Sequence, residues 1–244
     1  MDCPPSRTWQ VPLPLDVGVV VVAAGRGLRL GGVPKQFRDL SGVPVLRSAL
    51  EPFLSHPDVI FTVAVLPADM ADNPPEWLSE ITGIRLGVVS GGSERTDSVR
   101  AGLAALPEAA QVVLVHDGAR PFPSRDVIDQ IIEVARSGRA AIAAIPLGDT
   151  LKEAERTDRG IVVKRTIPRD ELWRAQTPQG FPRALITHAH ADAGGLDATD
   201  DAQLVERLGI PVVLVPDVPT NLKITTLEDL EMADALIARR LTQA

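Results

Sequence analysis

Residues 17–35, reading VGVVVVAAGRGLRLGGVPK, hold the side chains best suited to chemistry in this chain. Gly25 and Gly27 follow two alanines, and Arg29 and Lys35 frame a second glycine pair, Gly31-Gly32. A turn of small residues lets a ligand approach the main chain, because no Cβ stands in the way. Its N–H groups can hold anionic oxygens, and two nearby cations suit phosphate. Taken alone, the turn serves equally well as a tight corner carrying two solvated basic residues. Other segments ask for the same ligand. Ser90-Gly91-Gly92-Ser93-Glu94-Arg95-Thr96-Asp97-Ser98 is a second glycine turn, and Val115-His116-Asp117-Gly118-Ala119-Arg120-Pro121 brings an acid to the end of an apolar run.

The elements that position these residues follow from the apolar spacing. Val17–Val22 is a β-branched run of the kind that forms a strand buried on both faces. Val59–Leu66, residues 84–89, residues 111–116, Ala140–Pro146 and residues 212–215 read the same way. Between them lie helical spacings. One starts at Val43-Pro44, with proline at its first position, and runs to Leu54; another opens at Pro74-Pro75 over Trp77, Leu78 and Ile81. A third leaves the second glycine turn through Leu103 and Leu106. A fourth, capped by Ser124, carries Val127, Ile128, Ile131, Ile132 and Ala135 inward. Pro182 opens a helix through His190, residues 197–201 cap another that ends at Gly209, and Thr225-Thr226 with Glu228 and Asp229 in capping-box spacing start the last, to about Leu241. This alternation predicts a Rossmann-like α/β fold, a mostly parallel sheet with helices on both faces. Ligands in such sheets bind beyond the carboxyl ends of the strands, where both glycine turns and Asp117 fall.

The alternation breaks at residues 148–173. Strands over 151–155 and 161–166, joined by the polar turn 156–160, predict a protruding β-arm over about 147–173. The arm is largely charged, with no obvious core face. An isolated two-stranded ribbon is marginal in water, so a second copy of the chain is the expected support. Residues 1–16 hold four prolines and no apolar run, and read as a disordered tail rather than a signal peptide. Residues 17–244 read as a single domain.

Composition sets the outer bounds. A net charge of -7 argues against a broad nucleic-acid or anionic-membrane footprint, so positive charge used on a ligand is local. With no tyrosine and 3% aromatic residues, the composition disfavours a stacking platform for nucleic acid. The single cysteine, Cys3, allows no intramolecular disulfide and fits a reducing compartment, and no apolar run reaches the ~18 residues of a membrane span. A cytoplasmic protein is expected.

Spacing eliminates two common nucleotide motifs. A dinucleotide fingerprint from Gly25 needs glycine where Leu30 stands and an acid near Arg47, so an NAD-dependent oxidoreductase is disfavoured. No G-K-[ST] tripeptide occurs, which excludes a Walker A loop. The nucleotidyltransferase pattern A-A-G-x-G-x-R…P-K does match, in Ala23-Ala24-Gly25-Arg26-Gly27-Leu28-Arg29 and Pro34-Lys35-Gln36. Joined to the second glycine turn, the Asp117 segment, Asp149-Thr150, Gln176-Thr177-Pro178-Gln179 and Asn221-Leu222-Lys223-Ile224-Thr225, it closely resembles the 2-C-methyl-D-erythritol 4-phosphate cytidylyltransferases of the non-mevalonate isoprenoid pathway.

The resemblance implies attack of a polyol phosphate oxygen on the α-phosphorus of CTP, with release of pyrophosphate. The nucleophile is already ionised, so positioning and charge neutralisation carry the catalysis. By the family pattern, Arg29 and Lys35 stabilise charge on the α-phosphate and leaving group. Ala23, Ala24, Gly25 and Gly27 with Gly92, Ser93 and Ser98 hold the nucleotide. Asp117, Arg120, Thr150 and Thr177 belong to the acceptor side. Arg169 and Lys223 fix the attacking phosphate, with Thr150 and Arg169 reaching a second copy's site, so a homodimer is implied. Asp117 at a strand end suits Mg²⁺, which favours carboxylate and phosphate oxygens; as a helix N-cap it would need no metal.

The chain departs from the common pattern at Val22, Ser93, Pro168 and Gly118. The glycine at 118 is expected to loosen the loop after Asp117, and Pro168 to alter the path near Arg169. His116 is expected to be a hydrogen-bonding core residue rather than a base, and His188 and His190 face apart as poor metal ligands. The competing readings are a cytidylyltransferase for another polyol phosphate such as ribitol 5-phosphate, and a non-catalytic nucleotide sensor.

Overall fold

The computed structural model describes residues 15–25, 34–194 and 198–243. In chain order the elements are β1 (Val17–Val22), a 3-10 turn (Lys35–Phe37), β2 (Asp39–Leu40), β3 (Val43–Pro44), α1 (Val45–Leu54), β4 (Val59–Leu66), α2 (Ala68–Asp72), α3 (Glu76–Ile81), β5 (Leu86–Ser90), α4 (Arg95–Ala105), β6 (Val112–Asp117), α5 (Arg125–Arg136) and β7 (Ala140–Pro146). Then follow β8 (Leu151–Thr157), β9 (Gly160–Ile167), β10 (Trp173–Pro182), α6 (Arg183–Ala191), α7 (Asp201–Arg207), β11 (Val212–Pro216) and α8 (Leu227–Gln243).

β1 sits inside a seven-stranded sheet of order β11-β7-β10-β6-β1-β4-β5. Its run of valines alternates between two cores. Val19 and Val21 pack with Leu46 and Phe53 of α1 and Ile131 of α5, while Val20 packs with Val99 and Leu103 of α4 and Ile186 of α6. Each fully buried valine or leucine contributes roughly 1.5–3 kcal/mol, which is why the strand tolerates no polar residue on either face. Gly102 of α4 is required by the contact with β1, since a Cβ there would run into the side chain of Val20.

All pairings in this sheet are parallel except those of β10, which runs antiparallel between β6 and β7. The apolar pattern gave no sign of β10. Its pairing with β7 slips between Ala175 and Gln179, and this bulge swings Gln176 and Thr177 toward the end of β6.

Several boundaries differ from expectation. Pro44 ends β3 and is the N-cap of α1 rather than its first residue, because Leu40-Ser41-Gly42-Val43 closes a tight hairpin with positive φ at Ser41 and Gly42. β5 starts later than residue 84, and Ile84 is almost wholly exposed. Ser124 occupies the N-cap of α5 without a side-chain bond. Asp200 caps α7 through Gln203 N, and Asp197 lies outside the described residues. α8 has its expected box: Asp229 Oδ2 accepts from Thr226 N at 2.8 Å and Thr226 Oγ1 from Asp229 N at 3.3 Å. Residues 1–14 of the expected tail lie outside the described residues, while Asp16 is held in place: its O accepts from Gln111 N at 2.8 Å and its carboxylate pairs with Arg136.

β8 and β9 pair with each other in a separate two-stranded sheet. Its register opposes Leu151 to Ile167 and Ala154 to Val163, with Ile161 beside Arg156. Lys164 is the extra residue of a bulge in β9, so the pairs Leu151–Ile167 and Ala154–Val163 fall on opposite sides, and each side mixes apolar with charged residues, leaving the ribbon without a core face of its own. Ile161 and Val163 are exposed.

Candidate active site

Two clefts open beyond the carboxyl ends of β1, β5 and β6. The first, of about 230 Å³, is floored by Ala23, Ala24 and Gly25 and walled by Gly92, Ser93 and Ser98, with Lys35 at its rim. The β1 turn is held by Gln36, which also lines the cleft and whose Nε2 donates to Ala23 O at 2.6 Å and Gly25 O at 2.9 Å. Gln36 is buried, so the turn has a fixed shape before any ligand arrives. On the facing wall, Gly92 N donates to Ser98 Oγ at 3.2 Å while that hydroxyl donates to Glu94 O at 3.1 Å. Ser93 Oγ donates to Asp97 Oδ2 at 3.1 Å, which helps hold the Asp97 carboxyl below its ordinary value. A Cβ at Gly91 or Gly92 would collide with Ala24 or Asp97, so both glycines are dictated by close approach.

The second cleft continues from the first. Arg95, Asp117 and Lys223 line both, and Arg120, Gln176, Thr177, Gln179, Thr199 and Asp200 complete it. Asp117 is the hub. Lys223 Nζ lies 2.9 Å and Arg120 Nε 3.4 Å from its Oδ2. Burial pushes this carboxyl up, but Lys223, Arg95 and Arg120 outweigh it and hold it well below the carboxylate range. It is therefore ionised at any working pH.

Behind Asp117 the hydrogen bonds determine one another. Asp117 N donates to Thr177 Oγ1 at 3.0 Å, so the threonine hydrogen is left for His116 Nδ1, also at 3.0 Å. His116 Nε2 must then carry the proton, which it donates to Arg120 O at 2.9 Å. His116 is fully buried, and burial pushes its pKa down to about 4 against the pull of Arg120 O and Asp117. It is a neutral joint, in accord with its expected core role.

Lys223 is placed by its own loop. Asn221, fully buried, donates to Thr177 O at 2.9 Å and Asp217 Oδ2 at 2.6 Å, while its carbonyl accepts from Arg120 Nη1 at 2.8 Å and Gln176 Nε2 at 3.0 Å. Ile224 N adds a bond to Ala119 O at 2.8 Å.

With this geometry in view, the comparisons with known proteins are decisive. The family model for 2-C-methyl-D-erythritol 4-phosphate cytidylyltransferase (IspD) matches residues 17–239. The chain belongs to this family. The 2-C-methyl-D-erythritol 4-phosphate cytidylyltransferase of Syntrophus aciditrophicus is 43% identical over 230 residues, covering 91% of this chain and 96% of that one. The crystal structure of the Thermus thermophilus cytidylyltransferase superposes with a TM-score of 0.75 at 38% identity, covering 91% and 98%. The bifunctional IspD/IspF enzyme of Desulfotalea psychrophila is 37% identical, but the chain spans only 57% of its length. The mostly parallel α/β sheet expected from the sequence is the fold of these cytidylyltransferases.

The cytidylyltransferase motifs fall into three groups. Ala23, Ala24, Gly25, Gly92, Ser93, Ser98 and Lys35 gather on the first cleft, and Asp117, Arg120, Thr177 and Lys223 on the second. Arg29 and Gly27 lie outside the described residues. Thr150 and Arg169 do not line either cleft: both are exposed at the base of the β8–β9 ribbon, where Arg169 Nη1 donates to Gly148 O. The expected loosening at Gly118 is corrected. A Cβ there would lie 2.9 Å from Ala23 Cβ, and Gly118 N donates to Val22 O at 2.9 Å, so glycine lets this loop press against β1. His190 is buried, with Nε2 2.9 Å from Asp201 Oδ1, and His188 is exposed, so the two face apart as expected. Gln36, Arg95, Gln176 and Asn221 were not singled out from the sequence. All four sit inside a quoted motif, and that position was the available signal.

Proposed function

We propose that this protein transfers the CMP of CTP to 2-C-methyl-D-erythritol 4-phosphate, forming 4-diphosphocytidyl-2-C-methyl-D-erythritol and pyrophosphate, as a step of isoprenoid precursor biosynthesis in the cytoplasm. The observation that carries this reading is the seam of Arg95, Asp117 and Lys223, where the cleft of the β1 turn and the Gly92 loop meets a second, polar cleft. A phosphate oxygen of the acceptor attacks the α-phosphorus; that P–O bond forms as the bond to the β-phosphate breaks, and pyrophosphate leaves. No base is required, because the attacking oxygen is already anionic. Lys35 neutralises the triphosphate from the cleft rim, with Arg29 assigned the same role by the family motif. Lys223, anchored on Asp117, draws the acceptor phosphate to the seam. Main-chain groups of the β1 turn and the Gly92 loop take the nucleoside.

Mg²⁺ is the expected cofactor, and Asp117 fits it. The carboxylate is ionised and lines both clefts, so it would hold the ion where the two substrates meet. Among the described residues no cluster of three His, Cys, Asp or Glu side chains could hold a metal unaided. A single carboxylate with substrate phosphates completing the shell is an ordinary magnesium arrangement. Bound there, the ion would withdraw charge from the α-phosphate.

We also assign the β8–β9 ribbon to a homodimer. The ribbon pairs with no strand of the main sheet and packs no core face of its own, and Thr150 and Arg169 at its base would enter a second copy's acceptor cleft. No helix among the described residues is long and apolar enough to cross a membrane.

Pyrophosphate release from CTP with 2-C-methyl-D-erythritol 4-phosphate, against ribitol 5-phosphate, each with and without Mg²⁺, tests the assignment. Turnover with the first acceptor and not the second is expected. Equal turnover with ribitol 5-phosphate, or none with either, overturns it.

A further inference from the structure

Arg95 opens α4 at the point where the Gly92 loop enters the helix, and it stands with Asp117 and Lys223 on the seam of the two clefts. Its guanidinium is anchored from behind. Nη2 lies 2.7 Å from Oδ2 of Asp201, which is wholly buried at the start of α7. Oδ1 of that aspartate is 2.9 Å from Nε2 of buried His190 on α6. The anchor takes only Nη2: Nη1 is buried and has no hydrogen-bond partner among the described residues. A buried guanidinium donor without an acceptor is costly, and a fork already fixed at one tooth is oriented to receive an anion on the other.

Charge supports the same reading. Burial works against the charged form of Arg95, but Asp201, Asp117 and Asp200 overcome it and raise the pKa. The influence of Arg95 on Asp117 ranks after that of Lys223 and ahead of that of Arg120. Arg95 and Asp117 therefore attract each other at the seam that both line.

We propose that Arg95 is a further phosphate-binding residue of the transfer reaction, its Nη1 donating to a phosphate oxygen at the seam and its orientation set by Asp201 and His190. The inference rests on the cytidylyltransferase reading. The phosphate is either the α-phosphate of CTP or the monoester of the acceptor, and both present the same anionic oxygens. Arg95 would then act beside Lys35 and Lys223 in quenching the repulsion between the two anions, while Asp201 and His190 act only as positioning residues.

The test uses the full-length protein with Arg95→Gln and Arg95→Lys. CTP affinity is measured by calorimetry without acceptor, and kcat and acceptor KM by pyrophosphate release. Melting temperature and far-ultraviolet dichroism report the fold. In a folded Arg95→Gln protein, kcat is expected to fall about 100-fold or more, the usual effect of removing one aimed donor. A weaker CTP affinity assigns the contact to the α-phosphate; a raised acceptor KM with unchanged CTP affinity assigns it to the acceptor. Lysine is expected to restore part of the loss, because charge returns without the fork, and it is read instead if the glutamine variant does not fold. Arg95→Gln within threefold of wild type in all three constants, or activity lost only in step with the folded fraction, overturns the inference. A wild-type protein that releases no pyrophosphate from CTP removes the functional reading instead.

Discussion

Lowering the pH should unfasten this protein through His116, and the size of the effect follows from its surroundings. The ring is fully buried 5.0 Å from Phe53, accepts from Thr177 at Nδ1 and donates to Arg120 O from Nε2. Burial moves its pKa from an ordinary 6.5 down to about 4. The unfolded chain therefore binds a proton across that interval while the folded chain does not. Stability is whole above about pH 6.5 and is lost as the pH falls toward about 4. At about pH 4.5 the loss from this residue alone is about 2.5 kcal/mol, from roughly 1.4 kcal/mol for each pH unit of difference. His116→Gln can still donate to Arg120 O but cannot titrate. Urea unfolding of both proteins at about pH 7.5, 6, 5 and 4.5 isolates the histidine, because all other groups cancel in the difference. The variant is expected to be less stable at neutral pH by about 1–3 kcal/mol from lost packing and one lost bond, with the gap closing as pH falls. A gap constant to within ~0.5 kcal/mol over the series would refute the reasoning.

Three further substitutions separate the turn, the core and the ribbon. Gln36→Leu removes both bonds that fix the β1 turn, so KM for CTP should rise about tenfold, on the order of 1 kcal/mol for the pair, with melting little changed; steady-state kinetics decide it. Gly102→Ala forces a methyl into Val20 and should cost about 1–3 kcal/mol in urea unfolding while kcat holds, since the residue lines neither cleft. Arg169→Ala should sharply lower activity without unfolding the protein; near-normal turnover would remove the ribbon from the reaction.

How much of this could be read from the chain depended on the range of the interaction concerned. Strands such as β1 announce themselves because both faces are buried and every residue must be apolar. β10 has the same central place in the sheet but reads WRAQTPQGFP, because it is bent and carries the bulge that delivers Thr177 to Asp117. Strand propensity gives way there to the demands of the site, and a proline within the bulge hides the strand from any periodic test. Pro44 misled for a related reason. A proline before an apolar helix fits the first helical position or the N-cap equally well, and only the two-residue turn at Ser41-Gly42 decides between them.

The site divides along the same line. Ala23-Ala24-Gly25 and Gly91-Gly92 were legible because main-chain approach requires particular residue types at adjacent positions, so the chemistry is written locally. Arg95 was not, because its meaning lies in Asp201, reached only when α4 and α7 pack on one face of the sheet. Asn221 likewise looks like an ordinary loop residue until Thr177 O, Asp217 and Arg120 close around it. Arg95 lines both clefts, and Asn221 ties together the strands and loops of the second. A reaction that must bring two anions together needs cations whose positions are fixed in advance, and fixing them takes partners from distant strands and helices. The ligand-facing half of the site is thus local in sequence, and the half that holds it rigid is not.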